Sequence, residues 1–148
     1  RVLFRSPGAV TRLVDMGVAP YLVSAGLRGI ISQRLLRRIC PNCREETAPD
    51  MARIQLAGLR ENPDRKYFRG RGCDRCFGSG YKGRIGVFEV LMMNDALRHN
   101  ILGGVDRQEF LRLARETEFV SMMDNAEGLL NEGITTVDEV IRTLLTEN

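Results

Sequence analysis

Tryptophan is absent from the 148 residues, aromatic side chains make up only 6%, and histidine occurs once, as His99. Cysteine is confined to two close pairs. With one histidine and no cysteine outside those pairs, Cys/His nucleophilic chemistry has no support. No GxxxxGK[ST] phosphate loop is present, so this chain alone is not expected to be an enzyme. No apolar run approaches the ~20 residues of a membrane-spanning helix. No basic, then apolar, then small-residue start marks a secretory signal. A soluble cytoplasmic protein is the expectation. The thin supply of aromatics also argues against a nucleic-acid reader, which stacks bases on rings.

The chain does carry charge, unevenly distributed. Arg28 to Arg84 holds 14 basic and 6 acidic side chains, a net +8, whereas Ile85 to Asn148 holds 5 basic and 12 acidic, a net −7. A basic stretch suits nucleic acid, acidic lipid or an acidic protein surface, or is simply solvated. Unlike ends also suit self-association head to tail.

Local signals predict a mainly helical order. Pro7-Gly8 punctuates the start, and a short helix is expected from Ala9 to Met16, stopped at Gly17. Pro20 is expected to open a longer helix to about Arg38, with the stripe Val23, Leu27, Ile30, Ile31 and Leu35. On that reading Gln33, Arg34, Arg37 and Arg38 crowd its last turns and suit the helix dipole. Asp50 is read as the cap of a short helix through Leu59, and Pro63, Arg65 and Lys66 as an exposed loop. Arg84 to Leu91 reads as a strand. Four helices follow, opened by Asn94 or Asp95, by Asp106 with Glu109, by Ser121 with Asp124, and by Thr136 with Glu139. Because these helices carry their own caps and stripes, the last three are expected to fold without metal.

The four cysteines read Cys40-Pro-Asn-Cys43, then 29 residues, then Cys73-Asp-Arg-Cys76. Each CxxC turn aims two sulfurs at one point, and two such turns complete a tetrahedron. Four sulfurs leave no open position, so the site is structural: one zinc ion, with iron the tetrathiolate alternative. Disulfides would require an oxidising compartment, and a redox pair at Cys40 and Cys43 would require an adjoining βαβ pattern. Nearby arginines would help keep the thiols ionised. Gly78-Ser-Gly80-Tyr-Lys-Gly83 matches GxGxxG but follows a cysteine turn and precedes a strand, the reverse of the dinucleotide context. Its glycines serve the chain path around the metal site.

Four stretches, in order, carry a family resemblance. They are Pro7-Gly-Ala-Val-Thr-Arg-Leu-Val-Asp-Met-Gly17, Ser32-Gln-Arg-Leu-Leu-Arg-Arg-Ile-Cys-Pro-Asn-Cys43, Gly72-Cys-Asp-Arg-Cys76 with Gly80-Tyr-Lys-Gly-Arg-Ile-Gly-Val-Phe-Glu-Val90, and Gly133-Ile-Thr-Thr-Val-Asp-Glu-Val-Ile-Arg142. Together they resemble the C-terminal third of the ATPases that power type II secretion and type IV pilus assembly, in the branch with a tetracysteine insertion. The resemblance implies a parent that forms a hexameric ring on the cytoplasmic face of the bacterial inner membrane. It would bind ATP and magnesium in a core upstream of this stretch and act on inner-membrane platform proteins. Where the family has His-Thr-Asn before the Pro-Gly, Arg1 to Ser6 stand here, so no histidine role is carried over.

The fold class expected is mainly α (α+β): a helical domain with an inserted tetracysteine zinc-binding subdomain and a short β element. Residues 1–6 read as cloning remnant or truncated strand, 7–39 as the helical end of the ATPase core, 40–83 as the zinc-binding subdomain, and 84–148 as a strand plus helical bundle. The metal ligands are Cys40, Cys43, Cys73 and Cys76. Gln33 and Arg34, in the family's Gln-Arg-Leu segment, are candidates for contact with a neighbouring subunit or the nucleotide core. The role expected of this piece is mechanical, with no specific nucleic acid and no transmembrane segment. The alternative is a free-standing zinc module binding nucleic acid or unfolded protein.

Overall fold

The computed structural model describes residues 6–60, 62–117 and 119–146. Arg1 to Arg5, read above as remnant or truncated strand, lie outside the described residues, and Ser6 opens the first helix. The fold is mixed α+β, as expected. In chain order the elements are α1 (Ser6–Asp15), α2 (Pro20–Gly26), β1 (Gly29–Ile39), β2 (Arg44–Thr47), α3 (Met51–Leu56), β3 (Tyr67–Gly70), a 3-10 turn (Asp74–Cys76), β4 (Tyr81–Met92), α4 (Asp95–Leu102), α5 (Arg107–Arg115), α6 (Met122–Asn131) and α7 (Val137–Val140). A π-helical turn, Ile141–Leu145, continues α7.

The expected helix from Pro20 to Arg38 is half right. It stops at Gly26, where Leu27 turns extended at φ −75°, ψ 122°, and Gly29 begins an eleven-residue strand. Gly26 and Gly29 both disfavour helix, and β1 finds a partner in β4. Backbone bonds fix that pairing as antiparallel: Met93 donates to the Arg28 carbonyl at 3.1 Å, and Cys40 to the Gly80 carbonyl at 2.9 Å. The supposed helical stripe is not a buried face, since Ile31 is 71% and Leu35 48% exposed. Gln33, Arg34, Arg37 and Arg38 therefore sit on a strand, and the helix-dipole account of them falls.

The described residues divide into two compact units, each built from two stretches of chain. Among the described residues, one unit joins 33–87 to 122–146 and the other joins 6–32 to 88–121. The second unit packs α1, α2, α4 and α5 around Val10, Val23, Leu91, Leu97, Ile101 and Phe110. Its caps are those read from sequence. The Asn94 side chain accepts from the Leu97 amide at 2.9 Å, and that of Asp106 accepts from the amides of Gln108 and Glu109.

The first unit carries the cysteines. Its core is Leu36, Ile54, Ala57, Leu59, Val87, Ala126, Leu130 and Val140, so α3 from the inter-cysteine segment packs with α6 and α7. Asp50 caps α3 by accepting from the Arg53 amide at 3.2 Å. The predicted exposed loop is exposed at Pro63 and Lys66 but not at Arg65. That side chain is 3% exposed, with Nε donating to Asn131 Oδ1 at 2.7 Å on α6. Much of the charge opposition between the two halves of the sequence is satisfied inside this unit. Arg60 pairs with Glu127 at 2.8 Å, Arg37 with Glu139 at 2.7 Å, and Arg53 with Asp138.

Candidate metal centre

Two knuckles build the cysteine cluster. In the first, the Cys43 amide donates to the Cys40 carbonyl at 3.2 Å. In the second, the Cys76 amide donates to the Cys73 carbonyl at 3.1 Å, and Ser79 Oγ caps the Cys76 carbonyl at 2.6 Å. The knuckles are tied to the rest of the unit by backbone. Ile39 donates to Ile134 at 2.8 Å, and Arg71 donates to the Cys43 carbonyl at 2.9 Å. The strands β2 and β3 pair antiparallel, from Arg44 opposite Gly70 to Thr47 opposite Tyr67, and so bring the second knuckle back beside the first.

All four sulfurs lie within 4.8 Å of one another. Three of the six separations are 3.9 Å for Cys40–Cys73, 3.8 Å for Cys43–Cys76 and 3.7 Å for Cys73–Cys76. A tetrahedron of sulfurs bonded to one ion at about 2.3 Å has edges of about 3.8 Å, so the donor set fits a tetrathiolate metal. These distances are far beyond the ~2.05 Å of a disulfide bond, and all four cysteines are free. Cys40, Cys43 and Cys76 are buried and Cys73 is half-buried.

The surroundings sort the thiols. Burial pushes the Cys43 thiol up to about 12. The Asn42 side-chain amide, donating to Cys73 Sγ at 3.3 Å, is the main cause that brings Cys73 down to about 6. For Cys76 burial would raise the pKa, but backbone donors, led by Cys73 and Gly80, bring it below the ordinary value. Thiols this close cannot all ionise without a cation among them, and a bound metal supplies one.

Gln33 is exposed on β1 and Arg34 is half-buried. The Arg34 guanidinium donates to the Thr143 carbonyl beyond α7. It borders a cavity of about 390 Å³ lined by Arg34, Leu35, Arg37, Arg84, Arg142 and Thr143. Neither Gln33 nor Arg34 is among the residues that gather at the cysteines. Glu139, read from sequence only as a capping residue, proves to be the centre of an ion network at this cavity. Thr136 Oγ1 does accept from the Glu139 amide at 3.1 Å, but the carboxylate does not reach back. It is fully buried and accepts from the Arg37 amide at 2.9 Å, Arg37 Nε at 2.8 Å and Arg142 Nη2 at 2.6 Å. Burial alone would raise its pKa; Arg142 and Arg37 outweigh that and hold it at about 2. His99 is exposed on α4, its Nδ1 2.7 Å from the Asp95 carbonyl. No helix among the described residues is long and apolar enough to cross a membrane.

The family model described as Type II/IV secretion system protein matches residues 5–142. Among curated proteins, Type II secretion system protein E of Pseudomonas aeruginosa is 41% identical over 135 residues, which cover 91% of this chain and 27% of that protein. Type IV pilus assembly ATPase PilB of Thermus thermophilus is 39% identical over 135 residues, covering 90% of this chain and 15% of that protein. Type II secretion system ATPase E of Vibrio cholerae is 37% identical over 135 residues, covering 91% and 27%. The chain thus spans between 15% and 27% of the length of these relatives. With 138 consecutive residues matched, the tetracysteine lobe among them, the chain belongs to the type II/IV secretion system protein family.

Proposed function

We propose that this chain is the zinc-stabilised C-terminal part of a type II secretion or type IV pilus-assembly ATPase. Cys40, Cys43, Cys73 and Cys76 would hold one zinc ion. The single observation that carries the metal reading is the clustering of the four sulfurs, all within 4.8 Å and three of their six separations at 3.7 to 3.9 Å, against the about 3.8 Å edge of a tetrathiolate zinc site. Zinc there supplies a structural cross-link between the two knuckles. The chain's own residues do the rest: β2 and β3 hold the knuckles in register, and the core around Ile54 and Leu130 seats the lobe on α6 and α7. The part played is mechanical, a stiff element through which a ring subunit pushes on a partner.

Membership of the family supports a reading of the parent's activity. It would hydrolyse ATP with magnesium, in a hexameric ring peripheral to the cytoplasmic face of the bacterial inner membrane, and act on platform proteins there. Gln33 and Arg34 are assigned a contact with a neighbouring subunit or the nucleotide core. The arginine-lined cavity beside Arg34 supports that assignment, because it offers cations to an acidic or phosphorylated surface. The use of Arg53, Arg60 and Arg65 in internal pairs supports a part of a protein machine over a free nucleic-acid module.

The test has two arms. Elemental analysis of chelator-free protein should give one zinc per chain, and metal-free protein or two disulfides would refute the site. The purified chain should not turn over ATP, whereas the full-length parent should. Turnover that persists in this chain through size-exclusion would refute the division of labour.

A further inference from the structure

Four arginines line the cavity above Glu139. Arg34 and Arg37 come from β1, Arg84 from β4 and Arg142 from the π-helical turn after α7, with Leu35 and Thr143 completing the wall. Like charges repel, so the chain must hold them together. The edge of β1 begins this. Thr135 Oγ1 donates to the Arg37 carbonyl at 2.9 Å, and the Ile39 amide donates to the Ile134 carbonyl at 2.8 Å, which lays the residues before α7 along the strand. Glu139 then holds two of the four guanidiniums. Arg37 gives it Nε and Nη2, at 2.8 and 2.7 Å, and Arg142 gives it Nε and Nη2, at 2.9 and 2.6 Å. Each keeps Nη1, with two N–H donors, for a ligand. Arg37 is further fixed over Tyr81, 4.1 Å from the ring centroid.

The charges do not balance. Arg84 is exposed and makes no ion pair among the described residues. Arg34 donates to the Thr143 carbonyl and is left out of the count. Arg37, Arg84 and Arg142 then share the one carboxylate of Glu139, a net +2, and none of the six lining residues is acidic. We propose that this cavity binds a compact phosphate anion, inorganic phosphate or pyrophosphate. Its volume, about 390 Å³, lies at the small end of the ~300–1,000 Å³ of ligand sites. Five of its six lining residues are polar, so it offers no apolar platform for a ring. The guanidiniums come from three separate elements. A tetrahedral phosphate has oxygens for several forks, whereas a planar carboxylate suits one. A phosphate monoester carries about −1.5 to −2 at neutral pH, close to the excess in the cavity. The π-helical turn that brings Arg142 and Thr143 to the wall is itself a rare form, frequent at functional sites.

The inference rests on the contact assigned above to Arg34 and names its chemistry, phosphate rather than a carboxylate-bearing surface. The experiment is calorimetric titration of the full chain, purified without chelator, in buffer free of phosphate and sulfate. The probes are inorganic phosphate, pyrophosphate, ADP and hexaglutamate. Pyrophosphate should bind at one site per chain and raise the thermal midpoint. Arg84→Ala should leave the midpoint of the free protein unchanged or higher, because Arg84 has no ion pair to lose, and should weaken pyrophosphate binding about tenfold. Arg75→Ala, which removes an exposed arginine at the second knuckle, should bind as wild type does. Equal losses in the two variants overturn the site in favour of diffuse charge attraction. ADP bound more tightly than pyrophosphate overturns the compact anion, since a base would then be recognised. Hexaglutamate that binds through Arg84 where neither phosphate does overturns it in favour of an acidic protein surface and leaves the Arg34 contact standing. No binding of any probe at millimolar concentration sinks the phosphate site and, with it, the support the cavity lends to that contact.

Discussion

Gly70 and Gly80 lie backbone against backbone: a Cβ on either would fall inside the carbonyl oxygen of the other. Gly80 also has φ +75° and accepts the Cys40 amide. The end of β3 and the entry to β4 are thereby pressed together directly beneath the cysteines. Gly70→Ala or Gly80→Ala should therefore push the knuckles apart, since neither neighbour is a movable side chain. The expected cost is on the order of 2–4 kcal/mol in urea unfolding, with zinc released at lower chelator concentration. A Gly70→Ala protein with wild-type stability and zinc retention would show that this approach is not required.

Metal removal should melt more than the lobe between the cysteines. From sequence the last three helices look independent, with their own caps. In the fold α6 and α7 share one core with Ile54, Ala57 and Leu59 from the inter-cysteine segment, whereas α5 belongs to the other unit. Cys73→Ser should destabilise α6 and α7 together with the lobe and spare α4 and α5. Amide hydrogen exchange checks this: protection should fall at Ala126 and Leu130 and persist at Ile101 and Phe110. Persistence at all four residues would restore the independent-helix view.

The cysteine cluster was legible in the sequence because a CxxC turn is a local object whose two sulfurs converge whatever surrounds it. Caps at Asn94, Asp106 and Thr136 were legible for the same reason. β1 was not. Ile30, Ile31 and Leu35 fit a helical stripe as well as a strand, and what decides is pairing with β4, far along the chain. Arg65 looked like loop because Asn131 and Glu127, which bury it, lie on α6. Glu139 was visible only as a capping partner, since Arg37 was assigned to a helix end and Arg142 was given no role.

That Glu139 network sets a pH dependence. The folded carboxyl titrates at about 2, below its ordinary value of 4.5. A depressed carboxylate contributes stability that is fully present above about 4.5 and is lost as pH falls through about 2. Arg37 and Arg142 are 41% and 58% exposed, so solvent screening limits the contribution to on the order of 2 kcal/mol. Urea midpoints measured between pH 5 and pH 2 should fall in wild type and fall less steeply in Glu139→Gln, which should start lower. Parallel pH profiles for the two proteins would remove Glu139 from the account.

The basic half of the sequence invites a test for nucleic acid, and the fold indicates how it should come out. Of the cations around the cysteines, Arg53, Arg60, Lys66 and Arg69 are committed to carboxylates. Arg44 is stacked over Phe68, 3.9 Å from the ring centroid, and donates to the Glu132 carbonyl. Arg38, Arg71, Arg75, Lys82 and Arg84 remain exposed in this unit without an ion pair among the described residues. If all five met phosphates, counterion release would give a slope of log affinity against log salt no steeper than about −4.5 on duplex DNA. Affinity limited in this way is weak near physiological salt and blind to sequence. Titration with short duplex and single-stranded oligonucleotides should show binding only at low salt, with equal affinity for unrelated sequences. Sub-micromolar, sequence-selective binding at physiological salt would mean that the internally paired arginines release their carboxylates for the ligand, and the free-standing zinc module would then replace the secretion motor as the better reading.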